Sequence, residues 1–196
     1  MLENLKNYHV ILASNSPRRR ELLAGLGIDY EVRVLSGVDE SYPETLPVAD
    51  IAEYIAAKKA EAYRQTMGDG ELIITADTVV VCGDEVMGKP TDEADASRML
   101  RQLSGRVHHV TTGVCLTTCR QQRRFSVTTE VTFKQLSDEE INYYVKKYRP
   151  FDKAGSYGIQ EWIGYIGCTG LNGSYYNVMG LPVQRIYQEL LLFPVL

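Results

Sequence analysis

Histidine and cysteine are scarce in this sequence, with three of one and four of the other in 196 residues. The histidines are His9, His108 and His109, and Cys82, Cys115, Cys119 and Cys168 nowhere form a C-x-x-C pair. That spacing argues against a zinc site. Cys115 and Cys119 would point to one side of a single strand, and buried free thiols are expected. No apolar run approaches the length that spans a bilayer, so no membrane partner is expected. A basic region followed by an apolar stretch and a small-residue cleavage site is also missing from the start of the chain, so the expected location is cytoplasmic. Positive charge is not in excess either: the net charge of −4 argues against a nucleic-acid binder, which needs a basic surface. Internal repeats, low-complexity tracts and linkers are not visible. What remains is ordinary globular composition, 44% hydrophobic and 23% charged, with enough chain for one buried core or two small lobes. One domain over residues 1–196 is expected.

The stretch around which the chain is organised runs from Leu12 to Leu26. An apolar run, Tyr8 to Ala13, ends in a polar turn, and Ser16 precedes Pro17 as an N-cap precedes a proline at the first helical position. Leu22, Leu23 and Leu26 give the following helix an apolar face, and Gly27 can close it in a left-handed cap. Arg18, Arg19 and Arg20 occupy the first turn, where the helix dipole disfavours cations. An anion held there by backbone N–H groups, the hydroxyls of Ser14 and Ser16 and a guanidinium would remove that cost. A phosphate site and a solvated basic helix start both fit this stretch.

Further along, Tyr30 to Leu35 alternates as a strand and runs into Asp39-Glu40, either a solvated acidic loop or a ligand for a hard cation such as Mg²⁺. Pro47 to about Met67 reads as an amphipathic helix with Ile51, Ile55 and Tyr63 on its apolar stripe. Lys59 fills the missing place in that row and lies on the inward edge, where it can snorkel or reach a phosphate, whereas Lys58 faces outward. Glu71 to Cys82 is the clearest strand. Asp77 shares a face with Ile73, Thr75, Val79 and Val81, and Thr78 turns to the other. A carboxylate set among apolar side chains must be paired, bind a metal or be neutralised.

A hairpin turn at Gly83-Asp84 leads to Gly88-Lys89-Pro90, which leaves Lys89 at a strand mouth. Thr91 caps a helix from Asp92 to Leu103. Val107 to Thr118 and Arg124 to Leu136 read as an antiparallel hairpin, with His108 and His109 on opposite faces. Ser137 to Glu140 is a capping-box pattern that opens a helix to about Tyr148. Asp152 to Gln160 is a loop with small positions that permit close approach of a ligand. The glycine-rich character continues from Gly164 to Gly173; Tyr175 to Met179 reads as a short strand, and a last helix contains Ile186, Leu190 and Leu191. The interleaved helices and strands, with hairpins, predict a mixed α/β sheet flanked by helices.

The polar residues at element ends are Ser14, Ser16, Arg18, Glu40, Lys59, Asp77, Lys89 and Gln160. Cations with two carboxylates are the parts that nucleotide pyrophosphate cleavage needs. The motifs Ala13-Ser14-Asn15-Ser16-Pro17-Arg18-Arg19, Lys59-Ala60, Ala76-Asp77-Thr78, Gly88-Lys89-Pro90, Lys153-Ala154-Gly155-Ser156-Tyr157 and Asn172-Gly173-Ser174-Tyr175 occur in order along nearly the whole chain. In this the sequence resembles the Maf family of nucleoside triphosphate pyrophosphatases. The resemblance implies an inosine-triphosphatase-like α/β fold with two lobes around a cleft, a divalent cation (Mg²⁺ or Mn²⁺), a homodimer, and hydrolysis of a nucleoside triphosphate to monophosphate and pyrophosphate. It puts Asp77 at the general-base position. Arg18, Glu40, Lys59 and Lys89 fall at phosphate- or metal-handling positions, with Glu40 and Asp77 as the metal carboxylates. Arg18, Thr78 and Gln160 match positions tied to substrate choice.

Gly158-Ile159-Gln160 resembles the branch that acts on dTTP and UTP. A glutamine amide can donate to O4 and accept from N3–H of thymine or uracil. A carboxylate there would suit guanine, as in a branch acting on 7-methyl-GTP, which is the alternative substrate. Glu161 and Trp162 follow Gln160 where a glycine is more usual in the pyrimidine branch, a departure that bears on the shape of this loop. A nucleotide-sensing regulator of septum formation is the alternative outside catalysis.

Overall fold

Residues 2–195 are described by a computed structural model. Seven strands form a mixed sheet in the order β2-β1-β3-β5-β6-β7, with β4 paired to β3. The strands are β1 (His9–Leu12), β2 (Glu31–Val32), β3 (Glu71–Cys82), β4 (Glu85–Met87), β5 (Val107–Thr117), β6 (Gln122–Phe133) and β7 (Cys168–Asn172). The helices are α1 (Pro17–Ala24), α2 (Ile51–Arg64), α3 (Glu93–Leu103), α4 (Asp138–Tyr148), α5 (Trp162–Gly167), α6 (Tyr175–Met179) and α7 (Val183–Leu190). The mixed α/β sheet expected from the sequence is the one observed. Among the described residues no helix is long and apolar enough to cross a membrane.

The chain divides into two compact units. The first comprises Met1–Asp77, Thr112–Val127 and Gly180–Leu196, and the second Thr78–Thr111 and Thr128–Met179. The division therefore falls inside β3, between Asp77 and Thr78.

In the first unit β1 pairs in parallel with β2 and β3, in a register that sets Ile11 beside Ile73. Ile11 and Ile73 are buried with Tyr63 of α2, as the apolar stripe of that helix requires. β2 is shorter than the alternation from Tyr30 to Leu35 suggests. The Tyr63 hydroxyl donates to the Arg33 carbonyl at 2.8 Å and accepts from Leu35 N–H at 2.9 Å, so a side chain takes over where strand pairing would continue. α2 begins at Ile51, later than expected, because a 3₁₀ turn over Val48–Asp50 precedes it.

Small residues set the height of α2 over β5. Ala52, Ala56 and Ala60, spaced by four, are fully buried, and Ala56 and Ala60 pack on Cys115. A Cβ at Gly113 would lie 2.2 Å from the carbonyl carbon of Ala52, so no other residue fits beneath the helix backbone. Thr75 of β3, also buried, donates its hydroxyl to the Ala56 carbonyl at 2.7 Å.

In the second unit one core joins α3, α4 and α5 to the strand residues beneath them, with Leu100, Leu103, Tyr144 and Ile163 fully buried. α3 starts at Glu93 and its cap is Asp92, not Thr91: the Asp92 carboxylate accepts from Asp95 N–H at 2.8 Å. The capping box expected at Ser137 is present, with both reciprocal bonds to Glu140. Three elements depart from the sequence reading. The glycine-rich stretch from Gly164 to Gly173 falls within α5 and β7, the latter pairing antiparallel with β6. Tyr175–Met179 is a helix, not a strand. Its aromatic composition suggested a strand, but Ser174 accepts from Asn177 N–H at 3.3 Å. The Asn177 amide in turn donates to the Val110 carbonyl and to Thr129 Oγ1, each at 3.0 Å, which ties the turn down.

The cysteines are free but not uniformly buried: Cys82 and Cys115 are, Cys168 is partly so, and Cys119 is exposed. β5 ends at Thr117, so Cys119 sits in the turn where Thr118 N–H donates to the Gln121 carbonyl, and not on the strand with Cys115.

Candidate active site

The first unit gathers six of the expected residues, and three of them touch. The Lys59 ammonium lies 2.8 Å from Asp77 Oδ1 and 3.1 Å from Glu40 Oε1. Lys59 and Asp77 side chains are 14% and 15% exposed, whereas Glu40 is 53% exposed. Asp77 thus meets the demand that a carboxylate in an apolar strand be paired. The partner is a lysine from the inward edge of α2. Lys58, one residue away, turns outward to Asp39 at 2.5 Å, as the 100° step around a helix dictates. Asp39, with that ammonium and two bonds from Ser41, is held at a pKa of about 2. Asp39 is therefore ionised and engaged, while its neighbour Glu40 reaches Lys59.

At the start of α1 the Ser16 side chain caps the helix, accepting from Arg19 N–H at 3.4 Å, and Ser14 Oγ accepts from Ser16 N–H at 3.2 Å. Both hydroxyls accept from the backbone and so have their own protons to donate. Arg18 is half-buried in this turn. Gly27 is left-handed, φ +67°, but it is not the cap: α1 ends at Ala24 with Gly25 as its C-cap, and Leu26 and Gly27 lie in the turn that follows, their N–H groups bonded to Leu23 and Ala24 carbonyls. Arg19 has a different task from its neighbours. Its guanidinium donates to the Gly180 carbonyl at 2.7 Å and to the Ala76 carbonyl at 2.9 Å. Burial lowers its pKa, and the charge of Asp77 opposes that shift. It clamps the peptide that carries Asp77, a role the sequence did not single out, though its place inside the basic triplet was the available signal.

Glu40 and Asp77 both reach one cationic centre, the Lys59 ammonium, so their oxygens converge as a shared hard cation would need. The donor set fits a Mg²⁺ or Mn²⁺ that completes its shell with water and phosphate. Among the described residues no group of three or more His, Cys, Asp or Glu gathers as a metal cage.

The second unit holds Thr78, Lys89 and Gln160. Lys89 is exposed at the end of the β4 arm, and Gly88 beside it accepts from Gly155 N–H at 3.1 Å. Gln160 is half-buried, and its Oε1 is buried without a hydrogen-bond partner. An acceptor left so costs about 1–3 kcal/mol, which makes this atom a candidate for ligand contact.

The profile of the Maf-like protein family matches residues 9–193. The chain belongs to the Maf family. A dTTP/UTP pyrophosphatase of Phocaeicola vulgatus is 65% identical over 190 residues, covering 97% of this chain and 98% of its own. Those of Parabacteroides distasonis and Bacteroides thetaiotaomicron are 62% and 59% identical over the same shares. Among solved structures, a dITP/XTP pyrophosphatase from Mycobacterium abscessus aligns over 92% of this chain and 93% of its own, with 17% identity and a TM-score of 0.44, a likeness that adds nothing to the assignment.

In this Maf protein the sequence reading also passed over Tyr144. It is wholly buried on α4, and its hydroxyl donates to Glu161 and accepts from Gly158 N–H at 3.0 Å. Burial, with the Glu161 carboxylate beside it, raises its pKa. Nothing in the periodicity of α4 separates this tyrosine from ordinary core.

Proposed function

We propose that this protein hydrolyses dTTP and UTP to the monophosphate and pyrophosphate. The observation that carries the reading is the Asp77–Lys59–Glu40 group, with Asp77 on β3, Lys59 on α2 and Glu40 on the loop after β2, in a chain whose relatives bear that name. In this reading Asp77 is the general base. Lys59 pairs with its Oδ1, and the other carboxylate oxygen takes a proton from water as the water oxygen bonds to the α-phosphorus. The α–β anhydride bond breaks, and pyrophosphate leaves with the electron pair. The Ser14 and Ser16 hydroxyls and the Arg18 guanidinium donate to phosphate oxygens, and Lys89 is likewise assigned to phosphate. Glu40 and Asp77 would hold a Mg²⁺ or Mn²⁺, which would neutralise part of the triphosphate charge. Gln160 accepts from N3–H and donates to a carbonyl of thymine or uracil, and Thr78 takes part in substrate choice with Arg18. The buried, unpartnered Oε1 of Gln160 supports that role. The setting is nucleotide house-cleaning in the cytoplasm.

The test is pyrophosphate release, with Mg²⁺ or Mn²⁺, from dTTP, UTP, CTP, GTP and 7-methyl-GTP, with Asp77→Asn alongside. The expected result is turnover of dTTP and UTP that falls by about 10²- to 10⁴-fold in the mutant, with unchanged circular dichroism. Turnover of the guanine nucleotide alone would keep the reaction and overturn the pyrimidine assignment. Binding without turnover of any nucleotide would favour a sensor.

A further inference from the structure

Glu40 lies on the loop between β2 and the 3₁₀ turn over Val48–Asp50, and that loop has no helix or strand of its own. Among the described residues, positions 39–42 take no part in a backbone-to-backbone hydrogen bond. Side chains hold this stretch instead. Two adjacent lysines of α2 divide three consecutive loop residues: Lys59 takes Glu40, and Lys58 takes the residues on either side. The Lys58 ammonium donates to Asp39 Oδ2 at 2.5 Å, to the Ser41 carbonyl at 2.9 Å and to Ser41 Oγ at 3.1 Å. All three of its protons are thereby placed. The Ser41 hydroxyl donates in turn to Asp39 Oδ2, and Ser41 N–H to Asp39 Oδ1, each at 2.9 Å, which closes a ring across the residue between them.

An exposed pair of two side chains orders little by itself. Here the ammonium also grips a main-chain carbonyl, one residue beyond Glu40, so the backbone is tied to the helix. The helix is a fixed point for that grip. Lys58 stands about 200° around α2 from Ala56 and Ala60, the buried residues that pack on Cys115 of β5. Glu40 is 53% exposed and could swing into water, yet its carboxylate stands 3.1 Å from Lys59. Anchors on both sides account for that.

We infer that Lys58 is a positioning residue for Glu40: through Asp39 and Ser41 it holds the loop so that the Glu40 carboxylate stays beside Lys59 and Asp77, where the two carboxylates would receive the divalent cation. The inference rests on the reading of Glu40 as a metal carboxylate. Charge and position act here in opposite directions. Removing a cation next to an acidic site would by charge alone tighten Mn²⁺ binding, whereas releasing the loop weakens it.

Lys58→Met tests this directly, because it keeps the stem and removes all three bonds. Titration of the nucleotide-free protein with Mn²⁺, followed by electron paramagnetic resonance, is expected to show a Kd raised about tenfold, the low end for lost support behind a metal ligand. Hydrogen exchange of the Ser41 amide should quicken about fivefold or more. Lys58→Arg, which keeps a cation and its donors, should bring the Kd back to within about threefold of wild type. Ser41→Ala, which removes two bonds of the ring and no charge, should raise the Kd by a smaller factor. Added to Glu40→Gln, Lys58→Met should weaken Mn²⁺ no further, since it acts through Glu40. If Glu40→Gln weakens Mn²⁺ binding while Lys58→Met tightens it or leaves it unchanged, the positioning role is wrong and Glu40 stands as a metal carboxylate. A lowered melting temperature in Lys58→Met with wild-type Mn²⁺ affinity overturns it in the same way, as a structural role only. If Glu40→Gln keeps full affinity, the reading of Glu40 itself is wrong, and the inference falls with it.

Discussion

Each unit of the molecule contains a lysine held between two carboxylates, and the two groups are nearly superposable in their distances. Lys59 lies 2.8 Å and 3.1 Å from Asp77 and Glu40; Lys153 lies 2.7 Å and 3.1 Å from Asp152 and Glu161. What differs is the surroundings. Lys153 is 8% exposed at the side chain, and Glu161 also receives the Tyr144 hydroxyl, so that group is tied into the core. The outer carboxylate is half in solvent in both groups, Glu40 at 53% and Asp152 at 58%; around Lys59 the pairing engages Oδ1 of Asp77, and the strand peptide beside it is gripped by Arg19. The same triad of charges therefore serves as a brace in one place and leaves reactive capacity in the other. Ion-pair geometry alone does not identify an active site; the engagement of the remaining lone pairs does.

Exchanging the two lysines for an apolar residue is the sharpest way to break this comparison. Lys59→Met should lower turnover about 10²-fold or more, and it should also cost about 3 kcal/mol in stability, because Asp77, 15% exposed, is left without its ammonium. Lys153→Met should cost about 3 kcal/mol in urea unfolding, because Glu161 is left buried with its charge uncompensated. A folded, inactive Lys153→Met beside a fully active Lys59→Met would reverse the assignment of roles.

The core of the second unit gives the comparison a pH dependence. His108 is fully buried, its Nε2 is 2.7 Å from the Tyr157 hydroxyl, and burial lowers its pKa to about 4. Its folded pKa lies below the unfolded value of about 6.5, so between these values the unfolded chain binds more protons. Stability is full above about pH 6.5 and falls as the pH drops towards 4, by about 3 kcal/mol in all. Urea titrations across that window should show the slope, and His108→Gln should flatten it. The smallest effect is expected from Ser137→Ala, which removes the capping box of the helix that carries Tyr144. About 1 kcal/mol, read as a lowered melting temperature, with turnover unchanged, would confine that serine to stability.

Much of this was legible in the sequence where a single element decides the matter. The inward edge of α2 put Lys59 on the side where Asp77 lies, and alternation in β3 marked Asp77 as a carboxylate in need of a partner. The capping box and the Ser16-Pro17 helix start follow from local chemistry and appear as expected. What could not be read depends on contacts between distant segments. Tyr175–Met179 has the composition of a strand, and only the bonds from Asn177 to Val110 and Thr129 hold it as a helix. The Tyr63 hydroxyl that cuts β2 short comes from 30 residues away. Glu161, visible as a departure from the expected glycine, gains meaning only beside Tyr144 and Lys153.

The seam of Gly113, Ala52, Ala56 and Ala60 under α2 carries no reactive group, yet it acts as a depth stop for the lysine above it. A methyl group added at Gly113 would lift the helix by an ångström or more, on the scale of the 2.2 Å clash, and Lys59 would rise with it. Inheritance at this site is therefore twofold: the reactive residues are one half, and the residues kept small so that the others can meet are the other. A survey of variants that counted only charged positions would overlook the second half.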